Sequence, residues 1–140
     1  MLRILFMSFL ACLSLPIVAQ GQSGCSDVKS AQGALVGPFR VFNTAEMQYF
    51  RQNHRYADVN ELFASEGLKK MASTAYAHPV TNSAPIGTSA DPVPGYDVRL
   101  TVPSDGKSYT ILATKKEAPC QLAGAVTDNR GMIYVVEALQ

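Results

Sequence analysis

A chain of 140 residues is long enough for one domain with one core and short for two. Its hydrophobic content of 47% against 16% charged residues is that of a globular chain and not a disordered one. Twelve basic and eleven acidic residues nearly cancel, so charge gives no reason to expect a nucleic acid or an anionic membrane as partner.

The N-terminal stretch MLRILFMSFLACLSLPIVAQGQS carries Arg3, an apolar run from Ile4 to Leu15, then Pro16 and small residues. That is the layout of a secretory signal peptide, and the run is too short to span a bilayer comfortably. Cleavage after Ala19 or Gly21 fits the small-residue requirement. Residues 1–21 are therefore expected to be a signal peptide and 22–140 one domain, exported to the periplasm or beyond. Loss of Arg3 leaves 11 basic residues against 11 acidic ones.

Cys12 lies in the apolar run, whereas Cys25 and Cys120 remain as an even pair in an oxidising compartment. A structural disulfide between them is the expectation. Two alternatives stand beside it. Cys25 carries a lipid after lipoprotein-type cleavage, although Gln22 stands where that signal wants an aliphatic residue; or both thiols are free.

Residues 26–37 begin a helix with Ser26 as N-cap, weakened by Gly33 and Gly37. Pro38 either kinks a continuous helix or starts a new one. At 100° steps, Leu35, Phe39, Phe42, Ala45, Tyr49, Phe50 and Tyr56 fall in a sector of roughly 140°. Arg40, Thr44, Arg51 and Arg55 fall opposite, while Glu46 and Asn53 intrude on the apolar side. The helix should stop near His54. Asp58 with Glu61 reads as a capping box, opening a short second helix over Val59, Leu62 and Phe63 that Gly67 would end. From Ala72 to Gly95 four prolines among small polar residues read as a long surface loop, either a passive connector or a recognition surface.

Strands follow. Tyr96, Val98, Leu100 and Val102 alternate with polar residues, as do Tyr109, Ile111 and Ala113 after the turn Pro103–Gly106. A third strand is centred on 122–126. After the turn Asp128–Gly131, a last and almost wholly apolar strand at 132–139 is expected to be central or covered. The fold class is α+β: an N-terminal amphipathic helix packed on a three- to four-stranded antiparallel sheet.

Residues 36–50, VGPFRVFNTAEMQYF, resemble the second half of the long N-terminal helix in bacterial type IV pilins and type II secretion pseudopilins. Phe39-Arg40 and Phe42–Glu46 are the closest part. Arg55–Leu62 stands where those proteins leave the helix, and Gly95-Tyr96 and Thr127–Gly131 look like their sheet and terminal turn. The resemblance covers roughly residues 27–138. It implies a pilin-like globular domain. The prepilin cleavage signature and the apolar run that builds the filament core are missing, so the chain looks like a headgroup freed from its anchor. Polymerisation through a helical core is not expected.

Chemistry-bearing motifs are few. His54 and His78 form no zincin pair, and His54 reads as a solvated residue near a helix C-terminus. Some pseudopilins hold calcium, but Asp91, Asp97, Asp105 and Asp128 match no calcium-loop spacing. No nucleophile motif, Cys-x-x-Cys or phosphate loop is present, so no cofactor is expected. Glu46 on the apolar face either finds an amide or an arginine or makes a subunit contact. Arg40, Arg51 and Arg55 form a basic stripe. The expectation is a secreted, non-enzymatic structural or interaction protein, a monomer or weak dimer, touching another envelope or extracellular protein through Arg40, Glu46, Arg51 and Arg55. The alternative is a small periplasmic ligand-binding module using residues 72–95.

Overall fold

The computed structural model describes residues 28–77, 83–116 and 124–136. The expected signal peptide at 1–21, Ser26, Cys25, Cys120 and His78 lie outside these residues. Among the described residues three helices precede four strands: α1 (Val28–Asn53), α2 (Val59–Ala64), α3 (Glu66–Ala77), β1 (Tyr96–Thr101), β2 (Thr110–Lys115), β3 (Gly124–Asp128) and β4 (Ile133–Val136).

Helix α1 continues through Pro38. A proline there has no N–H for the carbonyl one turn back, which belongs to Ala34. Ala84 supplies the missing donor, its N–H reaching the Ala34 carbonyl at 2.9 Å. Gly37 makes room for this approach, because a Cβ there would lie 2.4 Å from Ser83 Oγ. The Gly37-Pro38 pair thus opens a notch in the helix, and Ser83 and Ala84 of the Pro-rich stretch dock into it.

The helix ends through His54, whose φ of 57° places it in the left-handed region and whose N–H reaches Phe50 O at 2.8 Å. Histidine is among the non-glycine residues that tolerate this conformation. Lys107 Nζ donates to the His54 carbonyl at 3.0 Å, bringing positive charge to the helix's negative end. Tyr56 N–H reaches Gly106 O at 2.9 Å, which fixes the elbow onto the β1–β2 turn. Gly106, at φ 63°, is required there, since a Cβ would meet Arg55 Cβ at 2.8 Å.

The capping box forms as its spacing predicts. Asp58 accepts from the N–H groups of Asn60 and Glu61 at 2.8 and 2.9 Å, and Glu61 accepts from Asp58 N at 3.0 Å. Gly67 does not end α2. Ser65 closes it, its N–H and Oγ both donating to Leu62 O, and then accepts from Leu68 N to open α3. Gly67 instead lets α3 approach α1, since a Cβ would lie 2.7 Å from Gln48 Oε1. Helix α3 also takes Ala72–Ala77 out of the expected loop. Straight-chain Leu68, Lys69, Lys70 and Met71 favour helix, and Leu68 is buried.

The strands form an antiparallel meander in the order β1-β2-β3-β4. Alternation in β1 and β2 puts Tyr96, Ile111 and Ala113 in the core and Asp97, Arg99, Thr110 and Leu112 outside. The third strand is described at 124–128, and residues 122 and 123 of the expected span lie outside the described residues. The last strand is not central or covered by described residues: β4 is a sheet edge, with Tyr134 and Val135 exposed. One buried cluster joins Leu35, Phe39, Phe42 and Ala45 of α1 with Leu62, Leu68, Val93, Tyr109, Ile111, Ala113 and Ala125. Tyr49 and Phe50 pack half-buried against it. No helix among the described residues is long and apolar enough to cross a membrane.

Candidate functional site

Polar side chains gather in three places: the buried side of α1, its exposed side, and a cleft on the outer side of the sheet.

On the buried side, Asn43 Nδ2 donates to Thr127 Oγ1 at 2.8 Å, and Tyr109 Oη donates to Asn43 Oδ1 at 2.8 Å. Thr127 Oγ1 in turn donates to Met132 O at 2.8 Å. One side chain of α1 therefore grips β3, the residue before β2, and the turn into β4. Burial pushes the Tyr109 phenol up, helped by the nearby Glu46 charge, so it stays a donor. The sequence reading did not assign this chain. Its signals were an asparagine one turn before Glu46 and a threonine inside a small-residue strand, neither decisive alone.

Glu46 is 0% exposed. Its Oε2 accepts from Ala57 N at 3.0 Å, while Oε1 is buried with no partner. Burial pushes the carboxyl up to about 7, opposed by the Ala57 bond. The Tyr56 phenol is raised by its own burial and by this carboxylate. Aromatic rings surround the elbow: Phe50 stacks on Tyr56 at 4.6 Å and Tyr56 meets Tyr109 edge-on at 4.8 Å. The expected place of Glu46 in a partner-contact patch is thus corrected. It serves the elbow from inside, because the turn between α1 and α2 offers it the Ala57 amide.

On the exposed side, Arg40 and Arg51 stand on one helix face, about 20° apart at 100° per residue; both are exposed. Arg55 lies beyond the helix end and is already engaged. Its guanidinium makes a bidentate pair with Glu61, Nη1 to Oε2 at 2.7 Å and Nη2 to Oε1, and lies 5.6 Å from the Tyr49 ring centroid. Those hydrogen bonds hold the Glu61 carboxyl down at about 2. His54, Asn53 and Thr44 are exposed; Asn53 Nδ2 and Thr44 Oγ1 donate back to helix carbonyls.

The cleft lies between Ala90–Pro92 and the outer side of β1 and β2. It has a volume of about 480 Å³ and is lined by Asp91, Asp97, Arg99, Thr114 and Lys116 among others. Lys116 Nζ reaches Asp91 Oδ1 at 3.1 Å across its mouth. Backbone bonds fold the loop: Gly87 N to Pro92 O at 2.9 Å, and Thr88 and Asp91 bonded reciprocally at 3.1 Å. Beneath the same loop, Phe42, Leu62, Phe63, Pro92 and Ile111 line a small, open apolar recess of about 10 Å³. The loop thus plugs the core from one side and walls a polar cleft on the other. The four aspartates have separate tasks or positions: Asp91 pairs with Lys116, Asp105 accepts from Lys107 N, Asp128 pairs with Arg130, and Asp97 lines the cleft. Among the described residues no three histidine, cysteine or acidic side chains converge as metal ligands.

No protein-family model, curated protein or solved structure matches this chain.

Proposed function

We propose that this chain is an exported, non-enzymatic structural or protein-interaction domain of pilin-like form, serving a type IV pilus or type II secretion apparatus. The observation that carries the reading is the use made of α1. Its apolar stripe is consumed inside the domain by Leu35, Phe39, Phe42 and Ala45, and Asn43 ties it to an antiparallel meander. A helix spent in this way leaves its outer face and the loops for partners, and no core seam from which to build a filament.

The partner surface is then the Arg40/Arg51 face of α1, with Arg55 contributing less because Glu61 holds it. The partner is an envelope or extracellular protein with acidic groups at matching spacing. Export by the N-terminal segment, and the Cys25–Cys120 bridge, belong to the same proposal.

N-terminal sequencing of the protein recovered from the exporting cell should begin near Gln20 or Gln22. An uncleaved, membrane-embedded chain sinks the export reading, and a mature terminus at a lipid-modified Cys25 overturns the cleavage site and the bridge. Thiol labelling of the native protein should find Cys25 and Cys120 unreactive. Cross-linked capture from the envelope fraction should yield a protein that the double variant Arg40→Glu, Arg51→Glu no longer retains. Equal capture by both forms overturns the assignment of this face.

The cleft beside Asp91 favours a second reading, a binding module for a small polar ligand. Its test is a thermal-shift screen of amino acids, sugars and short peptides. A shift lost in Lys116→Ala supports that module, and its absence with every class removes it.

A further inference from the structure

The two edges of the sheet are built differently. Along β1 the outward side chains include Asp97 and Arg99, and Ala90, Asp91 and Pro92 wall the cleft beside the strand. Charge and a covering loop are the usual protections of an edge. At the other edge β4 has neither among the described residues. Met132–Val136 contains no charge and no proline. Met132, Tyr134 and Val135 are 47%, 45% and 43% exposed, unusual for large apolar side chains in a row.

The strand registers align one row across the outer side of the sheet. Arg99 pairs with Leu112, Leu112 with Val126, and Val126 with Tyr134. The row runs from an arginine at the protected edge to a tyrosine at the bare one, and Leu112 is 40% exposed.

We propose that β4 pairs antiparallel with β4 of a second copy, joining two four-stranded sheets into one across a two-fold axis. An edge strand with unpaired amides and carbonyls wants another strand, and a two-fold makes the same patch serve both sides. The axis must stand perpendicular to the sheet, so residues facing each other point to the same side. The register is therefore centred on Tyr134 or on Val135. Centred on Tyr134, it sets the two tyrosines side by side. The outer row becomes Leu112, Val126 and Tyr134 of one copy followed by the same three of the other, with an Arg99 at each end. This apolar strip with charged ends is closed, because among the described residues each copy has one bare edge. The near-zero net charge of the chain puts no barrier between copies. The pairing uses only the sheet and stands whether or not the chain serves a pilus or secretion apparatus.

Sedimentation equilibrium of the purified protein from roughly 10 µM to 1 mM should show a reversible monomer–dimer equilibrium, the behaviour of a small interface. Tyr134→Lys, which sets like charges opposite each other or beside the axis, should weaken dimerisation on the order of tenfold or more with unchanged circular dichroism. Hydrogen exchange of the wild-type protein supplies a readout that needs no variant: amides of 133–136 should slow as concentration rises through the dimer range, and those of 96–101 should not. A monomer at 1 mM overturns the proposal. So does a dimer that ignores Tyr134→Lys and leaves 133–136 unprotected, or an open-ended polymer, which would mean that β4 pairs with an edge other than its own copy.

Discussion

Asn43 and Glu46 lie three residues apart on α1, and both interrupt its apolar side. Asn43 meets a donor and an acceptor, Tyr109 and Thr127, each at 2.8 Å. Glu46 meets one amide, leaving Oε1 buried and unpaired. The difference lies in what stands opposite. Asn43 faces the hydroxyls of Tyr109 and Thr127, whereas Glu46 lies under the elbow, where it meets one backbone N–H, that of Ala57, beside stacked aromatic rings. A neutral side chain with both hydrogen-bonding functions can be fully satisfied at a helix–sheet joint. An acceptor-only carboxylate with a single donor holds its proton to higher pH instead.

The largest effect should come from breaking the satisfied member. Asn43→Ala strands the buried Tyr109 hydroxyl and removes the donor to Thr127. At roughly 1–3 kcal/mol for each stranded group it should cost about 4 kcal/mol. Urea unfolding would show a lower midpoint at an unchanged slope. A loss under about 1 kcal/mol would mean that water replaces the asparagine.

Next comes the pH dependence of the unsatisfied member. Glu46 has a folded pKa of about 7 against an ordinary 4.5, so the folded protein binds more protons than the unfolded chain between those values. Stability from the protonated carboxyl is fully present below pH 4.5 and is lost as pH rises towards 7, by about 3 kcal/mol. Glu61, held near 2, acts in the opposite sense, its stability being present above 4.5 and lost as pH falls. Denaturation between pH 4 and 8 should therefore show decreasing stability, and Glu46→Gln should flatten the profile. A profile in the variant as steep as in the parent would place the titration elsewhere. Asn43→Ala should shift the whole curve without changing its slope.

Thr127→Val removes one partner of Asn43 and the donor to Met132 O. The asparagine amide has Gly131 O at 3.4 Å in reserve, so the cost should be about 1.5 kcal/mol. Its amide exchange should loosen the β3–β4 turn before the rest of the sheet. The smallest effect belongs to Asp58→Ala. It removes the N-cap of α2 next to the amide that Glu46 holds and should lower stability by about 1 kcal/mol. If the cap also positions Ala57 N, the variant's pH profile steepens, because Glu46 loses its one donor.

Much of this comparison could be read from the residues. The 3.6-residue spacing of Leu35, Phe39, Phe42 and Ala45 fixed which side of α1 is buried, since a helix can bury only residues that share a face. Asp58-x-x-Glu61 located the start of α2, because a capping box is completed within four residues. Alternation at 96–102 and 109–113 fixed the sheet's inner face through the two-residue period of a strand. Each of these depends on contacts a few residues apart.

What the sequence left open depends on residues far apart in the chain. Glu46 had an intruding position but no partner until the elbow brought Ala57 N to it. Asn43 needed Thr127, 84 positions away, and Tyr109, 66 positions away. The Pro38 gap was visible, but not the Ala84 amide that fills it. The apolar run at 132–139 suggested a covered strand, because hydrophobicity reports a preference for burial and not whether a neighbour supplies it. Strand order put β4 at the edge, and packing against distant residues, not local pattern, decided which polar groups of α1 were satisfied.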